Sequence, residues 1–224
     1  MALRAVGRAA RLQSAAPRNA GSRPAPAGTR LSHVNHRLME AFLLSTGIVA
    51  LAEIGDKTQL LSLLLATKFR RPWPIVCGIL AATLVNHALA GAVGSWVMRM
   101  LGPDVLRWVL GGSFIAMAVW MLIPDKLDED EAPASASRLG VFGTTLVAFF
   151  LAEMGDKTQI ATVALAAQYP QWGAVVAGTT LGMMLANAPV VWFGDRLVKK
   201  VPIRTVHVIS ALIFLALGLA ALLG

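Results

Sequence analysis

The sequence predicts an all-α polytopic membrane protein with six transmembrane helices, arranged as two inverted three-helix repeats. Three observations support this fold class. The chain is 56% hydrophobic and only 14% charged over its 224 residues, whereas soluble domains are about 25% charged. From Met39 onward it divides into six apolar segments. A ten-residue polar motif in the first segment recurs in the fourth.

The net charge of +8 comes mainly from the first 38 residues, which hold seven arginines and no acidic residue. The remainder carries 13 basic and 12 acidic residues and lacks the basic groove with interleaved aromatics typical of nucleic-acid binders. We therefore expect no nucleic-acid partner. The single cysteine, Cys77, excludes an intrachain disulfide and a cysteine-based metal cluster.

Residues 1–38 form an Arg-rich leader without an apolar run long enough to span a bilayer. Its composition predicts disorder. It resembles an organellar transit peptide, but Met39 stands directly before the first apolar run and is an equally good start, with the leader as an upstream extension. The first interpretation predicts an organellar membrane, and the second, which we favour, predicts the bacterial inner membrane.

Six apolar segments have the length of a spanning helix, about 20 residues. Prolines stand at most of their ends, because proline disrupts the interior of a helix. The segments lie at about 40–68, 74–98, 105–123, 140–167, 172–198 and 203–223.

The first three segments form one repeat, 39–123, and the last three form another, 140–224. An acidic linker at 124–139 joins them, and we expect it to be a flexible solvated loop. Because three spans are an odd number, the second repeat must enter the membrane from the opposite side. Inverted repeats of this kind recur in secondary transporters. Matching residues in the two repeats are Gly78 and Gly178, Asn86 and Asn187, and Gly94 and Gly194.

Basic residues are concentrated in the loops on one side of the predicted membrane, which indicates that this side is cytoplasmic. Both termini would then face outward. The basic residues on the cytoplasmic side are Lys68, Arg70, Arg71, Lys126, Arg138, Arg196, Lys199, Lys200 and Arg204, against Arg99 and Arg107 on the other.

The repeated motif places charged side chains inside apolar segments. In the middle of a bilayer each costs about 2.5–3.5 kcal/mol, so six of them facing lipid would cost roughly 15–20 kcal/mol. On a continuous helix the Glu, Asp and Lys, spaced i, i+3 and i+4, would approach the same side. We therefore expect the two motifs to face each other in one polar chamber. They read Glu53-Ile54-Gly55-Asp56-Lys57-Thr58-Gln59 and, one hundred residues later, Glu153-Met154-Gly155-Asp156-Lys157-Thr158-Gln159.

The predicted chamber contains four carboxylates and two ammonium groups, a formal charge of minus two. Its hard oxygen donors suit Ca²⁺ or Mn²⁺. Carboxyl groups in a low dielectric also bind protons more readily, so the same groups can bind either a cation or protons, as an antiporter requires. The candidate ligands are Glu53, Asp56, Glu153 and Asp156, with Lys57, Thr58, Gln59, Lys157, Thr158, Gln159, Asn86 and Asn187 as supporting residues.

Other polar residues in the apolar segments have two interpretations each. Gly55 and Gly155 can break their helices and expose backbone carbonyls as further ligands. The two asparagines, Asn86 and Asn187, either complete the chamber or join helices. His87 either relays protons or is an ordinary buried histidine. Simple neutralisation of Glu by Lys does not account for the repeated Asp, Thr and Gln.

With its doubled Glu-x-Gly-Asp-Lys-Thr motif, the chain resembles the UPF0016 family, also called the GDT1 family of cation/proton exchangers. The resemblance covers residues 39–224. It implies six spans and exchange of Mn²⁺ or Ca²⁺ for protons, with no enzymatic activity and no cofactor. The acidic motif residues of both repeats would be the binding site. The compact loops are similar to those of bacterial members, for which Mn²⁺ export is the expected role.

Three other functions are alternatives, and each would require a different feature. An intramembrane aspartyl protease with a Gly-x-Gly-Asp motif would need glycine where Glu53 and Glu153 stand. A proton-coupled exporter of an organic cation would need a larger chamber with an aromatic or apolar wall. A non-transporting assembly protein would have a sealed or fully paired chamber. The sequence does not rank Mn²⁺ above Ca²⁺, fix the stoichiometry or the coupling ion, or decide whether the chain forms a homo-oligomer.

Overall fold

The computed structural model describes residues 27–123, 140–194 and 202–223, with side chains from residue 35 onward. Residues 1–35 form one compact unit, of which only the beginning of the first helix is described, and residues 36–224 form a second. The acidic linker and most of the leader lie outside the described residues. The described part contains eight helices: α1 (Ala27–Glu53), α2 (Lys57–Phe69), α3 (Pro72–Met100), α4 (Pro103–Trp120), α5 (Gly140–Glu153), α6 (Lys157–Gln168), α7 (Trp172–Phe193) and α8 (Ile203–Leu223).

The first helix begins inside the leader. α1 starts at Ala27, although the composition of residues 1–38 favoured disorder. Arg and Leu, which occur at Arg30 and Leu31, have good helix propensity, so the helix of the first apolar segment can extend toward the amino terminus.

The two motif segments are not continuous helices, contrary to the expectation from the i, i+3 and i+4 spacing. α1 ends at Glu53 and α2 begins at Lys57, with a bend of 70° between them. α5 and α6 are interrupted at the equivalent positions, Glu153 and Lys157. The predicted break at each motif glycine is therefore confirmed.

The second long helix of each half packs against the other half. α3 contacts α5, α6 and α7, and α7 contacts α2 as well as α6. A methyl group added at Gly78 of α3 would lie 2.9 Å from the carbonyl oxygen of Phe142 in α5. Gly178 of α7 lies against the carbonyl of Phe42 in α1 in the same way. Small residues allow such close helix contacts, so the halves interlock reciprocally.

The last helices of the two halves, α4 and α8, form a further pair. The rings of Phe114 and Phe214 are 6.2 Å apart between centroids, and both residues are fully buried. Gly111 and Gly218 bring the two backbones close together. This pair belongs to an apolar core that also includes residues of α1 and α6.

Within the described residues, three helices are long and apolar enough to cross a membrane: α3, α7 and α8. The bent pair α1 and α2 makes a fourth span if it is counted as one. Many large apolar side chains are exposed on the outside, as in a protein that faces lipid. The arrangement with six spans in two inverted repeats stays a prediction. Four tryptophans are among these exposed side chains: Trp73, Trp96, Trp108 and Trp172.

Candidate functional site

The first motif forms a turn that ends α1 and begins α2. Gly55 has a φ of +84°, in the left-handed region that favours glycine, and the amide of Asp56 donates to the carbonyl of Glu53 at 3.1 Å. Asp56 is the N-cap of α2, where its carboxylate accepts the amide of Thr58 at 3.3 Å. Gln59 Oε1 accepts the amide of Gly55 at 3.0 Å. Gly, Asp and Gln of the motif together build the break.

The second motif repeats this turn between α5 and α6. Gly155 has a φ of +76°, and the amide of Asp156 donates to the carbonyl of Glu153 at 3.2 Å. Asp156 is the N-cap residue of α6 with extended backbone. Gln159 Oε1 accepts the amide of Gly155 at 2.7 Å. The two breaks therefore share the glycine turn, the bond from the aspartate amide and the bond to the glutamine side chain, as their shared residues predict.

Three of the four predicted acids come together between the two breaks. Carboxylate oxygens of Glu53, Asp56 and Asp156 all lie within 4.8 Å of one another, and the three residues are 0%, 1% and 4% exposed. Three buried negative charges at this separation repel one another strongly. A divalent cation or protons would relieve that repulsion, and carboxylate oxygens are suitable ligands for either.

Glu153 is fully buried beside this cluster but is not one of its three members. It interacts electrostatically with Glu53 and Asp156. Its Oε2 accepts the hydroxyl of Thr158 at 3.0 Å, whereas its Oε1 has no hydrogen-bond partner among the described residues. The four acids thus share one buried region but have unequal positions in it.

Glu53 is held by residues from both halves of the chain. Its Oε2 accepts the hydroxyl of Thr58 at 2.6 Å and the amide of Asn187 at 3.3 Å. Ser62 donates to the Asn187 carbonyl oxygen at 2.9 Å and so fixes the amide. Ser62 was not among the predicted site residues, although its position one helical turn after Thr58 places it on the same face of α2.

The two lysines have different partners. Lys57 Nζ lies 3.7 Å from Asp156 Oδ1, an ion pair that joins the two motifs. Lys157 Nζ donates to the carbonyl of Ile123, after the end of α4, at 3.3 Å. The identical motif residues therefore meet different surroundings.

The two predicted asparagines are not equivalent. Asn187 reaches Glu53, but Asn86 donates to the carbonyl of Phe150 in α5 at 3.1 Å, and the structure does not bring it to an acid. The motifs are offset by one hundred residues and these asparagines by one hundred and one. One residue rotates a helical side chain by about 100°, which is consistent with the different hydrogen-bond partners of Asn86 and Asn187.

The two breaks also differ in how they are covered. His207 Nε2 of α8 lies 3.1 Å from the carbonyl oxygen of Ile54, and a methyl group at Gly55 would collide with Ile203. A methyl group at Gly155 would meet no described atom within 4 Å. The first break is therefore covered by α8, whereas the second is open among the described residues. His207 was not among the predicted site residues.

The family follows from a comparison that covers most of the chain. Residues 41–129 and 141–224 match the family described as the divalent cation/proton antiporter GDT1. The chain belongs to the GDT1 family. The resemblance seen in the doubled motif is confirmed, and the protein is a transporter that exchanges a divalent cation for protons, not an enzyme.

Several curated GDT1 relatives resemble the chain along most of their length. A Vibrio cholerae protein named "Putative manganese exporter" is 53% identical over 186 residues, which cover 82% of this chain and 90% of the relative. A GDT1-like protein of Synechocystis is 28% identical, covering 79% and 94%. GDT1-like protein 3 of Oryza sativa subsp. indica is 27% identical, covering 87% and 77%. No solved structure matches. The chain is a bacterial-type GDT1 member and a multi-pass protein of the inner membrane.

Proposed function

We propose that this antiporter exports Mn²⁺ in exchange for protons, and that Glu53, Asp56, Glu153 and Asp156 bind both. The observation that carries the proposal is the cluster of three buried carboxylates within 4.8 Å, contributed by both breaks. Ionisable residues within a membrane are rare because they are costly, and they mark ion pathways by default.

The charge of the site supports exchange of one divalent cation for two protons. Four carboxylates and the two motif lysines give minus two when all are ionised. One divalent cation or two protons bring that charge to zero. Because the divalent cation and the protons neutralise the same carboxylates, binding of one displaces the other. The cation flux and the proton flux are therefore coupled.

We propose Mn²⁺ as the substrate, in preference to Ca²⁺, because the Vibrio relative, 53% identical, is named "Putative manganese exporter". Both ions accept carboxylate and carbonyl oxygens, so the acids alone do not separate them. Further oxygens are available from the carboxyl ends of α1 and α5, which terminate at Glu53 and Glu153. Unwound backbone at such breaks coordinates cations in other transporters.

We further propose that the repeats 39–123 and 140–224 are inverted three-span units that rock against each other, with 124–139 as the linker. The interlocking of α3 and α7 supports this, since each contacts the opposite half. The cover of the first break by α8, and the second break, which is open among the residues that the structure describes, support one end state of the cycle. In the opposite state, α4, the counterpart of α8, would cover Gly155.

Two alternatives are disfavoured by the contacts of the acids. An organic cation would require aromatic or apolar walls, whereas hydrogen bonds to Glu53 and Glu153 come from Thr58, Thr158 and Asn187. A non-transporting protein would have fully paired acids. Oε1 of Glu53 and Oε1 of Glu153 are buried with no hydrogen-bond partner among the described residues.

The test is ion-driven proton movement in proteoliposomes that contain a pH-sensitive dye. An inward Mn²⁺ gradient should drive protons outward and make the lumen alkaline, and a Ca²⁺ gradient should do so more slowly. No proton movement with either ion would contradict the function. Proton movement driven by lysine or arginine, but not by Mn²⁺, would favour the organic cation exporter.

The direction is tested in cells. In medium with raised Mn²⁺, bacteria expressing the chain should contain less Mn²⁺ than bacteria expressing the Glu53→Gln variant at equal protein level. A higher Mn²⁺ content with the unaltered chain would show uptake instead of export.

A further inference from the structure

His87 is a buried side chain that the transport scheme does not yet use. It lies in α3, is fully buried, and neither ring nitrogen has a hydrogen-bond partner among the described residues. Buried polar groups are nearly always hydrogen-bonded, because burial without a partner costs free energy. The position of this imidazole therefore calls for an explanation.

The offset between the two halves relates His87 to Asn187. The two motifs are separated by one hundred residues, and the same offset relates Gly78 to Gly178. These glycines contact equivalent residues, Phe142 and Phe42, in the opposite halves. At this offset the counterpart of Asn187 is His87. Since Asn187 binds Glu53, its counterpart belongs on the side of Glu153.

Contacts along α3 indicate which part of α5 and α6 lies at the level of His87. Asn86 donates to the carbonyl of Phe150, three residues before Glu153 in α5. Gly94, two turns further along α3, lies against the carbonyl of Val163 in α6. Residues seven apart lie on one face of a helix, so His87 shares the face of Gly94. Its level on α3 falls between these two contacts, and the stretch of α5 and α6 between Phe150 and Val163 includes the break.

Glu153 contributes a second atom without a partner in this region. Its Oε1 is buried and accepts no hydrogen bond from the described residues, whereas its Oε2 accepts the hydroxyl of Thr158. An imidazole nitrogen and a carboxylate oxygen, both buried and both lacking hydrogen bonds, are a suitable pair of ligands for a transition-metal ion.

We propose that His87 is a nitrogen ligand of the transported cation on the Glu153 side of the site, and that it makes the antiporter prefer Mn²⁺ to Ca²⁺. This inference rests on the proposed function and extends it to ion selection. Ca²⁺ takes oxygen ligands, whereas Mn²⁺, as a first-row transition-metal ion, also binds imidazole nitrogen, although it is the weakest binder of its series. The counterpart residue Asn187 offers only an amide, so selectivity would arise from one half of the site.

The first test is pulsed electron paramagnetic resonance of Mn²⁺ bound to the purified full chain in detergent. The unaltered protein should show nitrogen modulation from a histidine ligand. His87→Asn, which restores the residue type found at Asn187, should remove the modulation with Mn²⁺ still bound. His36→Asn, which alters an exposed histidine of α1, should retain it.

The outcomes separate this inference from the proposed function. Bound Mn²⁺ without nitrogen modulation, or modulation that survives His87→Asn, would overturn the role of His87 and leave the acidic site intact. Absence of Mn²⁺ binding, or binding that Glu53→Gln does not weaken, would overturn the proposed site and this extension together. If His87→Asn does not fold, His87→Gln takes its place, and loss of the modulation with Mn²⁺ still bound is again the expected result.

The second test is the ratio of Mn²⁺ to Ca²⁺ flux in proteoliposomes. Loss of a ligand-shell residue typically lowers metal affinity about 10- to 100-fold, so His87→Asn should lower the ratio about tenfold, and His87→Gln should act in the same direction. His36→Asn should leave the ratio unchanged. An equal loss of both fluxes in the two His87 variants would contradict a role in selectivity.

Discussion

The side-chain amide of Asn187 donates a hydrogen bond to Oε2 of Glu53 at 3.3 Å, although 134 residues separate the two in the chain. Glu53 ends α1 in the first half, and Asn187 lies in α7 of the second half. The first motif is therefore completed by the opposite half. Any rocking of one half against the other must lengthen or remake this bond, which links the conformation of the protein to the state of the acid.

Removal of the Asn187 amide should weaken cation binding. A hydrogen bond to a charged group contributes about 1.5–3 kcal/mol, so Asn187→Ala should raise the Mn²⁺ concentration for half-maximal flux about tenfold or more. The control is Asn86→Ala, which removes a bond to the Phe150 carbonyl and should lower thermal stability without changing that concentration. Equal effects of the two substitutions on the half-maximal concentration would contradict the distinction.

The ion pair of Lys57 with Asp156, at 3.7 Å, should compete with the cation. Lys57→Gln makes the site more negative by one charge, so Mn²⁺ should bind roughly tenfold more tightly, or about 1.4 kcal/mol, and leave more slowly. Binding titrations and maximal flux measure the two effects. Lys57→Arg keeps the charge and should resemble the unaltered protein. Weaker Mn²⁺ binding by Lys57→Gln would show that the lysine supports the site instead of competing.

The two motif glycines should differ in their tolerance of alanine. Left-handed backbone costs a non-glycine residue roughly 1–2 kcal/mol, so Gly155→Ala should be destabilised by about that amount. Gly55→Ala should lose more, because its methyl group also collides with Ile203. Melting temperatures in detergent give the order, and Gly155→Asn should be milder since asparagine tolerates this backbone. Equal losses at Gly55 and Gly155 would argue against the cover of the first break by α8.

The interlocking of the halves should depend on Gly78. A methyl group there would lie 2.9 Å from the Phe142 carbonyl oxygen, which belongs to the backbone and cannot rotate away. Gly78→Ala should therefore lower the free energy of unfolding by about 1–3 kcal/mol, as is typical of overpacking, and the melting temperature should fall with it. Gly112→Ala is the matched control, because no described atom lies within 4 Å of its added methyl group. It should be neutral or slightly stabilising, since alanine favours helices.

The sequence predicted the features that depend on repetition and composition. Apolar length and the doubled motif predicted helical spans, and the cost of buried charge predicted that Asp56 and Asp156 would meet. Gly55 was recognised as a point where the helix can break. Asp56 followed three residues later by Gln59 is a known helix start signal. It accounts for the cap at Asp56 and for the hydrogen bond that the Gly55 amide donates to Gln59. The i, i+3 and i+4 spacing was instead interpreted as a continuous helix.

What the sequence could not predict is the difference between two identical motifs. Lys57 and Lys157 have the same neighbours in sequence, yet one pairs with Asp156 and the other with the Ile123 carbonyl. The difference comes from tertiary packing, such as the contact of His207 with Ile54. Local pattern carries no information on which break is covered, because the proposed alternating access would cover either break in turn.

The central claim is that the buried acids of both motifs carry the cation and the protons. It is tested by Mn²⁺-driven proton flux in proteoliposomes containing the unaltered chain, Glu53→Gln or Glu153→Gln at equal protein content. Glu40→Gln is the control, since Glu40 is exposed on α1 and contacts Tyr169 at 3.4 Å and His36 at 3.9 Å, away from the motif acids. Both motif variants should lose at least about 90% of the flux, as expected when a charged ligand contributing ~1.4 kcal/mol or more is neutralised, and Glu40→Gln should retain it. Undiminished flux in either motif variant would contradict the account.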